Sequence, residues 1–269
     1  NVDGNRVITF EDGATLTLVG FGANNAPTGR PAITGTARQG ESLGVDLTSI
    51  ADADGFDPAD VDIQWLRDGT ELPGATGATY ALGQEDVGSR ISVRITYVDG
   101  FFIEESMTSA ITSAIENVND APTGEVAISG IAAQGETLTA DASTVADVDG
   151  FDPAAASGQW LRDGTAISGA TANTYTLTQA DVGAEISFAY SYTDGFGFRE
   201  TVTSAATDAV ENVNDAPTGD VVISGTAKQG ETLTADASGV ADADGIVDGS
   251  QSYQWLRDGT VIPGATAAS

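Results

Sequence analysis

The chain repeats itself every 95 residues, and that period decides most of what it can become. Trp65, Trp160 and Trp255 stand 95 residues apart, and so do the Ala-Pro-Thr-Gly runs that begin at Ala26, Ala121 and Ala216. Such a period is too long for one coil of a solenoid or one blade of a propeller, and it matches the size of a small autonomous β-sandwich. The expected organisation is a β-hairpin segment or the tail of a preceding domain at 1–25, a first copy at 26–120, a second at 121–215, and a truncated third at 216–269. Ser269 aligns with Thr174, so the third copy lacks the residues that carry its remaining strands. A half sandwich cannot bury its core unaided. Either the natural chain continues or another chain completes it.

Within a copy, apolar residues alternate over short stretches broken by turn residues about every eight to twelve positions. Ile91, Val93, Ile95 and Tyr97 alternate with Ser92, Arg94 and Thr96, and Ile186, Phe188, Tyr190 and Tyr192 alternate with Ser187, Ala189 and Ser191. That is the period of a strand with one face buried. Trp-Leu-Arg-Asp-Gly recurs at Trp65, Trp160 and Trp255, and its Asp-Gly predicts a tight hairpin after the Trp strand. Leu43 to Leu47 precedes that strand and Thr79 to Leu82 follows it. Asp86-Val87-Gly88 and Asp181-Val182-Gly183 then turn a corner into the long alternating strand. The order predicts an all-β fold of tandem immunoglobulin-like sandwiches. A short hairpin, Arg6 to Phe10 and Thr15 to Val19 about Glu11-Asp12-Gly13, precedes them. With no cysteine there is no inter-sheet disulfide, so each Trp and its aliphatic neighbours must fill the core. Arg67, Arg162 and Arg257 are expected to pair with surface acids rather than bind ligand.

Composition then removes most chemistry. The formal charge is −30, with no histidine and no cysteine. Zinc, blue-copper and ordinary haem ligation are excluded, and so are Ser-His-Asp and Cys-His nucleophiles. What metal chemistry remains is all-oxygen. So negative a surface repels phosphate backbones and anionic bilayers, so neither nucleic acid nor membrane insertion is expected. No apolar run is long enough to span a bilayer, and the opening Asn1-Val2-Asp3-Gly4 carries no signal core, so the chain reads as an internal piece of a larger precursor. A glycosidase needs an acid and a base flanking a cleft. Identical modules offer no unique cleft, and no enzyme is expected.

Two acidic motifs recur in phase. One lies before the Trp strand: Asp52-Ala53-Asp54-Gly55-Phe56-Asp57, Asp147-Val148-Asp149-Gly150-Phe151-Asp152, and Asp242-Ala243-Asp244-Gly245. The other closes each copy: Glu116-Asn117-Val118-Asn119-Asp120 and Glu211-Asn212-Val213-Asn214-Asp215. In a sandwich of this kind the loop between the second and third strands and the loop between the last two share the pole where the chain arrives, here called the leading pole. The first-to-second junction should therefore gather Glu116, Asn119 and Asp120 with Asp147, Asp149, Asp152 and Asp194. The equivalents are Asp52, Asp54, Asp57 and Asp99 ahead of it, and Glu211, Asn214, Asp215, Asp242 and Asp244 behind it. From Ala121 to Asp215 there are 14 acids and 2 bases. Carboxylates packed at such a junction repel one another unless a cation sits between them. Calcium, which takes mixed oxygen ligands in irregular geometry, suits the set better than magnesium, which demands a tight octahedron. The motif is not an EF-hand, because Gly follows the second Asp directly and no flanking helices are visible. The first boundary is expected to be the weakest, since Asn24-Asn25 replaces Asn-Asp and Phe21 stands where Glu116 stands.

The recurring Gly225 to Leu233 pattern, Ala-Asp-x-Asp-Gly, Gln-Trp-Leu-Arg-Asp-Gly-Thr, Asp-Val-Gly and Glu-Asn-Val-Asn-Asp-Ala-Pro together resemble the bacterial immunoglobulin-like or cadherin-like tandem repeats of large type I-secreted surface proteins, the RTX adhesins. The resemblance covers about Asn24 to Ser269. It implies an extracellular, calcium-containing stalk or adhesin segment at a bacterial surface. Its partners would be the neighbouring repeats, with host-surface or matrix ligands bound through domains outside this segment. The opening hairpin is similar to segments found next to calcium-binding β-rolls, although the glycine-rich nonapeptide itself is absent. The expected function is a calcium-rigidified extender that projects a binding domain. The alternatives are a carbohydrate- or protein-binding module, which exposed aromatics clustered on one face would mark, and a subunit of a polymeric extracellular fibre.

Overall fold

Trp65 and Trp160 mark where the cores sit: both are fully buried. In the computed structural model, which describes residues 6–18 and 24–269, the chain forms two units, Asn1–Asp120 and Ala121–Ser269. Val19 and Phe21 lie outside the described residues.

The first unit opens with a hairpin, β1 (Arg6–Thr9) and β2 (Thr15–Leu18), paired antiparallel with Thr9 opposite Thr15. Its turn closes where Asp12 Oδ1 accepts the Ala14 N–H at 2.9 Å and Gly13 takes φ +81°. The sandwich that follows has one sheet of β3 (Ala32–Thr34), β4 (Ser42–Asp46) and β7 (Thr79–Ala81). Its other sheet runs in the order β6 (Thr70–Glu71), β5 (Asp62–Arg67), β8 (Ile91–Val98), β9 (Glu104–Thr108). Between the sheets Leu43, Trp65, Leu82, Ile91, Val93 and Ile115 form the core, with Tyr80 stacked 5.7 Å from Trp65. The indole N–H reaches the Gly77 carbonyl at 2.9 Å, so the buried ring nitrogen is paired. Asp68 at φ +48° and Gly69 at φ +82° give the two-residue turn whose twist suits antiparallel strands.

In the second unit β10 (Ala127–Ser129), β11 (Thr137–Asp141) and β14 (Thr174–Thr176) form one sheet. β13 (Thr165–Ala166), β12 (Ser157–Arg162), β15 (Ile186–Thr193) and β16 (Arg199–Thr203) form the other in that order. The fold class is thus all-β with immunoglobulin-like sandwiches in tandem. Copy 2 solves the packing differently from copy 1. Phe188 replaces Val93, and Gly158 replaces Ile63. A Cβ at Gly158 would stand 2.2 Å from Phe188 Cζ, so the larger ring occupies the volume that a side chain on β12 would need. The third copy presents two strand pairs, β17 (Val222–Gly225) with β18 (Leu233–Asp236) and β19 (Leu256–Arg257) with β20 (Thr260–Val261). There Val222, Ile223, Leu256 and Val261 are exposed.

Three features differ from the sequence reading. The first strand of copies 1 and 2, β3 or β10, has only three residues, too few for an alternation to show in the sequence. Ser92 and Ser187 are buried although they sit at the polar positions of β8 and β15. Both strands are central in their sheets, where a short outward side chain lies below its neighbours; Ser92 faces Leu66 across the ladder and Ser187 faces Leu161. The Asp-Val-Gly corners are single 3₁₀ turns, Gln84–Asp86 and Gln179–Asp181.

Candidate metal centre

The leading pole of copy 1 is made of two loops that brace each other. In the loop between β4 and β5, Asp52 Oδ1 accepts the Asp54 N–H at 2.9 Å, and Asp57 caps the 3₁₀ turn Pro58–Asp60 through the Ala59 N–H at 2.9 Å. In the turn between β8 and β9, Asp99 Oδ1 accepts the N–H groups of Phe101 and Ile103, both at 2.8 Å. The two loops join where the Gly100 N–H meets the Asp54 carbonyl at 2.9 Å. A Cβ on Gly100 would lie 2.4 Å from that oxygen, so the approach requires glycine. The Tyr97 hydroxyl closes the back of the site, donating to Asp52 Oδ2 at 2.7 Å.

Copy 2 rebuilds this pole from the same residue types. Asp147 Oδ1 accepts from the Asp149 N–H at 2.9 Å and its Oδ2 from the Tyr192 hydroxyl at 2.8 Å. Asp152 caps its turn through the Ala154 N–H at 2.9 Å. Asp194 Oδ1 accepts from Phe196 at 2.9 Å and Phe198 at 2.8 Å. A Cβ at Gly195 would come within 2.5 Å of the Asp149 carbonyl.

One atom per pole is left over. Asp99 and Asp194 are only 5% and 7% exposed, and Oδ2 of each is buried with no hydrogen-bond partner. A buried carboxylate oxygen without a donor carries the full cost of its desolvation. The neighbouring hydroxyls register the local field. Burial first, then the hydrogen bond to Asp52, then the negative charge of Asp52, Glu105 and Asp99 push the Tyr97 pKa well up; Tyr192 is raised in the same order by burial, Asp147, Glu200 and Asp194. Among the described residues, no three acidic side chains converge to enclose an ion. Asp52, Asp54, Asp57, Asp147 and Asp152 serve as acceptors for protein donors. The donor set is nonetheless all oxygen and anionic, which is what a hard cation requires. Oδ2 of Asp99 or Asp194 is the acidic oxygen at each pole that no protein donor occupies.

The arriving chain reaches this pole. Asn25 donates its backbone N–H to Asp54 Oδ2 and its side-chain amide to Asp54 Oδ1 at 2.9 Å, while Asn24 Nδ2 donates to Glu105 Oε1 at 2.8 Å. In the second unit Asp215 takes the place of Asn25 and gives its backbone N–H to Asp244 Oδ2 at 2.8 Å. It has no side-chain amide to offer. Asp242 Oδ1 accepts from the Asp244 N–H at 3.0 Å, and Asn214 Nδ2 donates to the Asp215 carbonyl at 3.0 Å. Glu116 and Glu211 belong by their backbones to the opposite, trailing pole of their own copies. Glu116 pairs there with the Ala37–Gln39 segment and Glu211 with Ala132–Gln134. Asp120 and Asp215 accept from Gln39 and Gln134, each at 2.7 Å. Sequence reasoning passed over Glu105, the two glutamines and Gly100 with Gly195. The in-phase recurrence of Gln-Gly-Glu and of Asp-Gly-Phe was the available signal.

Arg67 meets one surface acid, Glu85, at 3.8 Å, but the main partner of Arg67 and of Arg162 is a buried one. Arg67 Nε reaches Asp86 Oδ1 at 2.7 Å and Arg162 Nε reaches Asp181 Oδ1 at 2.7 Å, and both acids have no exposed surface. Each is further bonded, Asp86 by Tyr80 and the Gly83 N–H, Asp181 by Tyr175 and by the N–H and hydroxyl of Thr178. The first two tryptophans lie in the cores, and the exposed rings of Phe102, Phe196 and Phe198 sit on the turns that carry Asp99 and Asp194.

No protein-family model and no curated protein sequence matches the chain. Solved structures that it resembles include the tandem Ig repeats of Dlar, at 12% identity over 70% of this chain and 97% of that one, with a TM-score of 0.21. Another is the three N-terminal domains of the highly immunogenic outer capsid protein of bacteriophage RB49, at 13% identity over 77% and 69%, TM-score 0.24. The D1–D4 ectodomain fragment of ICAM-5 gives 19% identity over 77% and 57%, TM-score 0.28. Among the described residues no helix is long and apolar enough to cross a membrane.

Proposed function

We propose that the chain is a calcium-rigidified extender, or stalk, segment of a secreted bacterial surface adhesin, holding a binding domain away from the cell. The reading is supported by tandem copies of one sandwich, by a linker that reaches an acidic pole at Asn25–Asp54 and Asp215–Asp244, and by a charge of −30. The observation that carries it is the buried, unpartnered Oδ2 of Asp99 and of Asp194. A calcium ion engaged there would add its binding energy to the stability of the copy, and in copy 1, where Asn25 reaches the same pole, to the stiffness of the arriving chain.

Calorimetric titration with calcium tests the reading. The chain should take up calcium saturably, and the variant carrying both Asp99→Asn and Asp194→Asn should bind at least about tenfold more weakly, the loss seen when even supporting groups of a metal site are removed. No saturable uptake, or equal uptake by the variant, would overturn it.

A further inference from the structure

The segment that leaves each copy is held, residue by residue, to the copy it leaves. In the second unit Glu211 gives its N–H to the Ala132 carbonyl at 2.8 Å and accepts from the Gln134 N–H at 2.9 Å. Two residues on, the Gln134 side chain takes over: Oε1 accepts the Val213 N–H at 3.3 Å and Nε2 donates to Asp215 Oδ2 at 2.7 Å. The first unit repeats all four bonds. Glu116 pairs with Ala37 at 2.9 Å and Gln39 at 3.0 Å, Gln39 Oε1 accepts from Val118 at 3.0 Å, and Gln39 Nε2 donates to Asp120 Oδ2 at 2.7 Å. Beyond Asp215 the next backbone pairing is Thr218 with Ala241, which already belongs to the following copy. Between them stand only Ala216 and Pro217.

We infer that Gln39 and Gln134 are positioning residues. Each ties the outgoing linker to the preceding copy and fixes the carboxylate of the linker aspartate; at the second seam Asp215, whose N–H meets Asp244 of the following copy at 2.8 Å, is thereby bonded to both copies, which confines the motion there. The chemistry requires an amide. Gln offers an acceptor and a donor at the end of one side chain, matching a backbone N–H and a carboxylate two residues apart. A glutamate repels Asp215, and the repulsion draws its acceptor away from the Val213 N–H as well. The proline adds to the confinement, because its φ is fixed and it restricts the residue before it. The clamp gives the stalk reading its geometry and rests on that reading for its purpose, but its hydrogen bonds involve no ion.

Hydrogen–deuterium exchange of the segment 208–216 in the whole chain, in chelator, tests the clamp. Gln134→Met, which loses both bonds, and Gln134→Glu, which adds repulsion, should each speed exchange at Val213 by roughly tenfold, the factor expected from one or two lost hydrogen bonds. Adding Asp215→Asn to Gln134→Glu should restore protection, because the new carboxylate then accepts from the new amide. A role in folding alone would leave the double variant as exposed as the single one. Unchanged exchange in the single variants, failure of the rescue, or unfolding of copy 2 reported by Trp160 emission would overturn the inference. Failure of the calcium reading has a different signature: no calcium uptake, with this clamp and its rescue intact.

Discussion

Replacing Asp181 by alanine is expected to cost copy 2 about 3 kcal/mol, the lower end of the range for breaking a buried ion pair, because Arg162 remains about a third exposed and water partly replaces its partner. The carboxylate ties three elements together: Arg162 from β12, Tyr175 from β14, and Thr178 at the corner. Alanine leaves a guanidinium, a phenol and a backbone N–H without their acceptor. Denaturant unfolding followed by Trp160 emission reads the loss, and a change below about 1 kcal/mol, the size of an exposed pair, would contradict the assignment. The same group sets an acid dependence. Burial alone would raise the Asp181 pKa, but the Thr178 N–H and hydroxyl, Arg162 and Tyr175 outweigh it and hold the carboxyl below the usual range. A lowered folded-state pKa means that the stabilisation is fully present above the unfolded value. It is lost as pH falls through the lower folded value. Asp181→Ala should therefore flatten the acid limb of the stability profile.

Calcium should produce the second large effect, and one substitution should lower stability in calcium but not in chelator. At a hundredfold excess over the dissociation constant, a ligand that binds only the folded state stabilises by about 2.7 kcal/mol. For a sandwich of this size that corresponds to a rise of the melting midpoint of roughly 10–20 °C. Asp194→Asn should abolish the rise for copy 2. In chelator the same variant should melt at or above the wild-type temperature, since it removes an anionic oxygen buried without a partner. Scanning calorimetry in calcium and in chelator gives all four values. An Asp194→Asn variant that is destabilised equally in both conditions would show that the oxygen serves the turn rather than an ion.

Local features of the fold were legible in the sequence. The 95-residue period, the alternation of β8 and β15, and the Asp-Gly turn after the Trp strand depend on residues close in the chain, and hydrophobic pattern reports those directly. The features that escaped are long-range. Asp86 and Asp181 look like ordinary turn acids in Asp-Val-Gly, and only the sandwich brings each to an arginine 19 positions earlier. Gln39 meets Val118 and Asp120 at separations of 79 and 81 residues, and nothing in its own neighbourhood hints at that. The recurrence of the acidic loops marks them as candidates, but the sequence does not rank their acids. The structure distinguishes them by their donors. Asp57 and Asp152 are occupied as caps, Asp52 and Asp147 by tyrosines, and Asp99 and Asp194 keep one buried oxygen in reserve.

Small-angle scattering of the 269-residue chain, recorded in calcium and again after chelation, tests the seam hypothesis most directly. Cation-latched seams predict a longer maximum dimension with calcium and a shorter, broader distribution of distances without it. Superimposable curves in the two buffers would contradict it.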